Sequence, residues 1–241
     1  MKGFSSFIFL SFIIYLFILY GGGWDTHDDY RRGKRPPSFF LQTFFKITLD
    51  ISYILISMTV IAAYKDDTGI HLGSDSRITY SNGTKYDLGN KWRLLKSKAS
   101  KYSIYVGCAG SARLDNLIIA NSKLIESATS AFEIGDLIKR AVISDAWKEE
   151  KDDGGEPQNY DIDILIIFKN NIYRVGSDFS VIQIPDFTFV AIGTGEPYAL
   201  GAAHSSRNKS GKELVRLSIQ AAMHYDVNCG GRIHITLLEK K

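Results

Sequence analysis

MTVIAAYKDDTGIHLGSDSRITYSNGTKYDLGNK, running from Met58 to Lys91, is the stretch from which the rest of the chain can be read. Thr59-Val60-Ile61-Ala62-Ala63 has the apolar, partly β-branched make-up of a strand, and Asp66-Asp67-Thr68-Gly69 that of a turn. A second strand runs into Gly73-Ser74-Asp75, and Gly89-Asn90-Lys91 follows. Sixteen positions separate Thr59 from Asp75, and sixteen more separate Asp75 from Lys91. A hydroxyl, a carboxylate and an amine, each at or just past the end of an apolar run, can converge at one end of a sheet, and together they supply what an activated nucleophile needs. Singly, each is an ordinary residue; order and spacing together carry the reading.

From Met58 onward the chain resembles the proteasome β-subunit and HslV group of N-terminal-nucleophile hydrolases, in which a Thr at the mature amino terminus attacks the substrate and an Asp and a Lys follow at this even spacing. The resemblance continues through Ala109-Gly110-Ser111 before a helix, Ile192-Gly193-Thr194-Gly195 before another, and Asp226-Val227-Asn228-Cys229-Gly230-Gly231 near the end. It covers residues 58 to 241. What it implies is a threonine-type endopeptidase subunit, a homo-oligomeric ring, peptide or unfolded-protein substrates and an ATP-dependent unfoldase partner.

Composition agrees with a globular enzyme and sets some classes aside. Apolar residues make up 45% of the 241 and charged residues 23%, ordinary values for a single domain with a large core. A net charge of +3, without a basic face interleaved with aromatics, gives no argument for nucleic acid. Cys108 and Cys229 lie far apart and outside any metal-like spacing, and the five histidines form no ligand pair, so neither a metal nor another cofactor is expected.

Upstream, Phe4 to Tyr20 is an uncharged apolar run, Arg31 to Pro37 a basic linker, and Phe39 to Ile56 a second apolar segment broken by Lys46 and Asp50. Such a run has the length of a signal sequence or a marginal membrane helix. Residues 1–57 are therefore either a removable leader or anchor, or an upstream extension with Met58 as the real start. The abrupt beginning of the resemblance beside a methionine favours the second, and with it a cytoplasmic protein. A membrane or export route follows only if residues 1–57 are retained. Either way the hydrolase domain is expected over residues 59–241, with Thr59 exposed by loss of what precedes it.

Beyond Lys91, Trp92 to Leu95 and Ser103 to Gly107 read as strands, and Leu114, Leu117, Ile118, Leu124 and Ile125 repeat at helical spacing. Ile134 to Val142 repeats likewise behind a Ser130/Glu133 capping box. Lys148 to Pro157 is a polar loop. Ile162 to Phe168 and Ile172 to Val175 form a hairpin, and Val181 to Ile184 and Phe187 to Ile192 are strands. A helix from Glu196, another capped by Ser210 and Glu213, and a strand over Ile233, Ile235 and Leu237 complete the chain. Runs such as Ile164 to Ile167 are too apolar for a sheet wetted on one side. The order fits an α+β fold, a four-layer αββα sandwich of two stacked antiparallel sheets between helical layers, which the resemblance also implies.

A Thr hydroxyl is a poor nucleophile at neutral pH, but an amino-terminal Thr carries its own base, an α-amine of pKa about 7.7 to 8.0. Lys91 would supply a nearby positive charge, and Asp75 would hold it. By resemblance, Gly110 offers a backbone N–H to the oxyanion, while Asp226, Cys229 and Thr194 buttress the amine. Cys229 stands where the family has Ser, and a thiol is the weaker partner. Cys108, two residues before Gly110, is expected to border the pocket for the substrate side chain. Two rival readings are an amidohydrolase of small amides on the same scaffold and a non-catalytic ring subunit whose leader stays in place.

Overall fold

The computed structural model describes residues 59–79, 83–110, 112–144 and 162–240. All the described residues belong to one unit, Ile54–Lys241. The expectations for residues 1–57, for Met58, for Ser111 and for the loop Lys148 to Pro157 fall outside the described residues. Among the described residues, no helix is long and apolar enough to cross a membrane.

Two antiparallel sheets form the middle of the domain. In one, β1 (Ile61–Asp66) lies between β10 (Phe189–Ile192) and β2 (Gly69–Ser74), and β11 (His234–Glu239) pairs with β2. In the other, β5 (Trp92–Lys96), β6 (Ser103–Gly110), β7 (Ile162–Phe168), β8 (Asn171–Val175) and β9 (Val181–Ile184) pair in sequence order. Helices α1 (Ala112–Ala120), α2 (Ser122–Ser127) and α3 (Ala131–Ser144) cover the outer face of the five-stranded sheet. Helices α4 (Glu196–Ser205) and α5 (Gly211–Tyr225) cover the outer face of the other. The result is the αββα sandwich.

Strand alternation produces three apolar layers. Ile61, Ala63, Ile70 and Leu72 meet Leu165, Ile167 and Ile172 between the sheets. Ile162, Ile164, Ile166 and Phe168, on the other face of β7, pack against Leu114, Ile118, Ile134 and Ile138 of the helices. Val60 and Ala62 turn the other way, onto Val215, Ile219 and Ala222 of α5. Both faces of β7 are therefore covered, which explains its unbroken apolar run.

Several boundaries differ from expectation for identifiable reasons. The first helical pattern is two helices, because Asn121 ends α1 with its side-chain amide donating to the Leu117 carbonyl at 2.9 Å; Leu124, counted in the apolar face, is exposed. Ser130 accepts the Glu133 N–H at 3.1 Å as a cap should, yet Glu133 reaches back to Thr129 rather than to Ser130. Ser210 makes no side-chain cap, and Glu213 pairs with Arg216 instead. Phe187 has φ +62° and is exposed, so β10 starts only at Phe189. Strands β9 and β10, neighbours in sequence, belong to different sheets, and the segment around Pro185 is the crossing between them. Two short strands without apolar alternation, β3 (Arg77–Thr79) and β4 (Lys85–Asp87), form an additional hairpin.

Candidate active site

Thr59 leads into β1, on the face that Ile61 and Ala63 present to the inter-sheet core. The β1–β2 register pairs Ile61 with Ser74, so Asp75 emerges beside Val60 and donates its N–H to the Val60 carbonyl at 3.3 Å. Both Thr59 and Asp75 are fully buried. Oδ1 of Asp75 accepts the Thr59 hydroxyl at 3.4 Å, the Val60 N–H at 3.1 Å and the Lys91 ammonium at 2.7 Å. Its Oδ2 accepts the Gly230 N–H at 2.9 Å. Lys91 is itself fixed by its backbone N–H, which donates to Ser74 Oγ at 3.2 Å.

A second cluster centres on Asp226, where α5 ends. Its carboxylate accepts the Thr194 side chain, the Asn228 N–H at 2.9 Å, the Asn228 amide at 3.0 Å and the Cys229 thiol at 3.4 Å. The loop Gly193-Thr194-Gly195 joins the two clusters. Gly195 donates its N–H to the Thr59 carbonyl at 3.2 Å, and Gly193, at φ +92°, lies so close that a Cβ there would stand 2.3 Å from that oxygen. Only glycine fits such an approach in that conformation.

The β3–β4 hairpin fastens the segment 227–232 from outside. Lys85 donates to the Val227 carbonyl at 2.7 Å, Thr79 to that of Asn228 at 3.1 Å and Arg77 to that of Cys229 at 3.2 Å. The N–H groups of Ser76 and Arg77 both reach the Gly230 carbonyl, at 3.2 and 3.1 Å.

Gly110 ends β6 on the opposite sheet with φ +105°, paired with Ile162. Three residues earlier, Gly107 faces β1: a Cβ there would lie 3.0 Å from Ile61 and 3.3 Å from the Lys91 carbonyl. Cys108 points to the other face, against the core beneath α1–α3, and burial pushes its thiol up to about 12.

No protein-family model matches the chain. Individual relatives do. The ATP-dependent protease subunit HslV of Campylobacter jejuni subsp. doylei is 30% identical over 169 residues, which cover 68% of this chain and 87% of the relative. That of Campylobacter hominis is 30% identical over 173 residues, covering 70% and 89%. This chain belongs to the HslV family. Among solved structures, eukaryotic HslV from Trypanosoma brucei superposes with a TM-score of 0.54 over 76% of this chain and all of that one, at 16% identity, a likeness of fold.

In this HslV-family chain the electrostatics of the two clusters differ. Burial holds the Lys91 ammonium below its ordinary pKa, outweighing the attraction of Asp75, so its charge is carried at a cost. Burial alone would raise Asp226, but the donors from Thr194, Asn228 and Cys229 prevail and hold its carboxyl below its ordinary 3.8. An acid with a depressed folded-state pKa contributes stability that is present above the unfolded value and lost as pH falls through the folded one. Denaturant unfolding followed stepwise below pH 4 is therefore expected to show a loss of stability that the Asp226→Asn variant lacks. An identical acid limb in the two proteins would contradict this.

Burial also raises the Cys229 thiol, keeping it protonated and able only to donate, weakly, to Asp226. The residues named from sequence thus fall into Thr59, Asp75 and Lys91 in one cluster, Thr194, Asp226 and Cys229 in the next, and Gly110 at the end of the facing sheet. Sequence reasoning missed Ser74, Gly193, Gly195 and Gly230. The signal available for the last three was the pair of glycine-rich motifs, Gly193-Thr194-Gly195 and Gly230-Gly231.

Proposed function

We propose that this chain, a threonine-type peptidase subunit of an HslV-like ring, cuts peptide bonds of unfolded polypeptides with Thr59 as nucleophile once the bond to Met58 is broken. The observation that carries the reading is the Thr59–Asp75–Lys91 contact set at the head of β1. Asp75 is a poor base for the hydroxyl: its oxygens are already engaged by the Val60 and Gly230 N–H groups and by Lys91. The freed α-amine of Thr59 takes the proton instead. The oxygen attacks the substrate carbonyl carbon, and the Gly110 N–H faces the oxyanion. The amine then returns the proton to the departing amine, leaving an ester on Thr59 that water hydrolyses. Lys91 provides fixed positive charge beside the developing anions, held by Asp75. Asp226, Thr194 and Cys229 support the terminal amine.

An ATP-driven unfoldase feeding a closed homo-oligomeric ring completes the proposal, in keeping with the ATP-dependent character of the HslV relatives. Intact-mass measurement of the protein from its native host, combined with digestion of denatured casein followed by mass spectrometry, tests it. A chain beginning at Thr59 that releases casein peptides is expected. Casein cleavage by a chain whose Thr59 is still in peptide linkage would refute the mechanism.

The departure at Cys229 has a measurable consequence. Cys229→Ser replaces a weak thiol donor with a hydroxyl, and a hydrogen bond gained is worth about 0.5–1.5 kcal/mol. An increase in kcat of roughly two- to tenfold is expected from that gain. A lower kcat in the serine variant would remove Cys229 from the supporting cluster.

A further inference from the structure

Outside the two clusters, Arg174 on β8 makes an ion network whose place in the fold is informative. Its Nε and Nη2 donate to the Asp163 carboxylate at 2.9 and 2.7 Å, and its Nη1 and Nη2 to that of Glu196 at 2.8 and 2.9 Å. Two carboxylates are thus gripped by one planar fork, a geometry lysine cannot reproduce. Asp163 lies on β7 in the five-stranded sheet, opposite Ala109 and so next to Gly110 on β6. Glu196 is the first residue of α4, directly after the Gly193-Thr194-Gly195 loop, and Asp163 accepts the Gly193 N–H as well. That loop in turn clamps the Thr59 carbonyl through Gly195 and packs Gly193 on it.

The nucleophile and its oxyanion donor come from different sheets. Thr59 heads β1 in one sheet and Gly110 ends β6 in the other, so the distance between them depends on how the two sheets are held at that end. We infer that Arg174 is a positioning residue: with Asp163 and Glu196 it ties the Thr59 clamp to the strand end that carries Gly110, and so sets the gap in which the substrate carbonyl must sit. This rests on Thr59 and Gly110 having the roles given above. A salt bridge serving stability alone would affect all the chemistry and all the protection of the domain alike, whereas a spacing device acts on the chemical step and on two particular amides.

The test compares Arg174→Ala, Arg174→Lys, Asp163→Ala and Asp163→Asn with the wild-type chain, using a quenched-fluorescence peptide that the wild type cuts. Misplacing reacting groups by about an ångström costs on the order of a hundredfold. Arg174→Ala and Asp163→Ala are therefore expected to lower kcat by roughly ten- to a hundredfold, with KM held within about threefold. Arg174→Lys should not restore the rate, because the fork is lost. Asp163→Asn keeps one acceptor but turns an amide NH2 against the guanidinium fork, so it too should stay well below the wild-type rate. Hydrogen exchange should speed up at the Gly193 and Gly195 amides and stay slow at core amides such as those of Ala62 and Ile166. Wild-type kcat in both alanine variants overturns the inference, as does a rate loss accompanied by uniformly faster exchange. Should Arg174→Ala fail to fold, Asp163→Ala decides alone: wild-type kcat in that variant overturns the inference. Thr59→Ala is run alongside: retained turnover in that variant indicts the nucleophile reading, whereas wild-type turnover in the Arg174 and Asp163 variants indicts only the positioning role.

Discussion

Thr59→Ala is expected to abolish peptide cleavage, leaving less than about a thousandth of the wild-type kcat, while the domain stays folded. The alanine keeps the α-amine and the strand but removes the only oxygen proposed to attack. Its structural cost is small, because the hydroxyl makes one long hydrogen bond, 3.4 Å to Asp75, whose carboxylate keeps three other donors. A loss of about 1 kcal/mol in denaturant unfolding is the scale for one neutral hydrogen bond. Thr59→Ser separates the two features of the residue. It keeps the oxygen and loses the methyl that restricts the side-chain rotamer, so partial activity is expected. Unchanged turnover in Thr59→Ala would remove the nucleophile from the mechanism and with it every role assigned around it.

Lys91→Met is expected to be severe in two separable ways. The ammonium and the Asp75 carboxylate are both nearly excluded from solvent, 8% and 0% exposed, at 2.7 Å. Removing one partner leaves an uncompensated buried charge, which costs about 3–5 kcal/mol. Activity should fall by at least about a thousandfold, since the fixed positive charge beside the reacting groups is gone. The double variant Asp75→Asn/Lys91→Met tells the two effects apart. Neutralising both partners relieves the buried charge, so urea unfolding should return towards wild type, whereas peptide turnover should not. Recovery of turnover in the double variant would show that Lys91 serves stability alone.

What the sequence made legible was what side chains announce. The two-sheet sandwich followed from apolar runs such as Ile164 to Ile167, and the hairpin from the runs Ile162 to Phe168 and Ile172 to Val175; its connection, expected over Lys169-Asn170-Asn171, is the two-residue turn Lys169-Asn170, with φ +49° and +60°, because Asn171 already pairs with Phe168. Thr59, Asp75 and Lys91 were visible because a hydroxyl, a carboxylate and an amine at even spacing are chemically distinct. The β3–β4 hairpin was not visible: Lys85-Tyr86-Asp87 is exposed at every position and has no apolar face to alternate. Nor was the placing of β9 and β10 in different sheets, since short strands either side of Pro185 look alike whichever neighbour they join. Gly193, Gly195 and Gly230 act through backbone groups and through the absence of a side chain, which leaves only a glycine in the sequence. The Arg174 network draws its members from β7, β8 and α4, three elements whose adjacency is a property of the folded chain.

The hydrogen bond from Gly230 to Asp75 spans 155 positions of the chain. The β3–β4 hairpin adds further links of almost the same span, from Arg77 to Cys229 and from Thr79 to Asn228. Pairings so distant in sequence raise the contact order and form slowly. A ribosome-bound chain therefore has Thr59, Asp75 and Lys91 long before it has the segment that completes their surroundings. Asp75 gains its Gly230 partner only once residue 230 has been made.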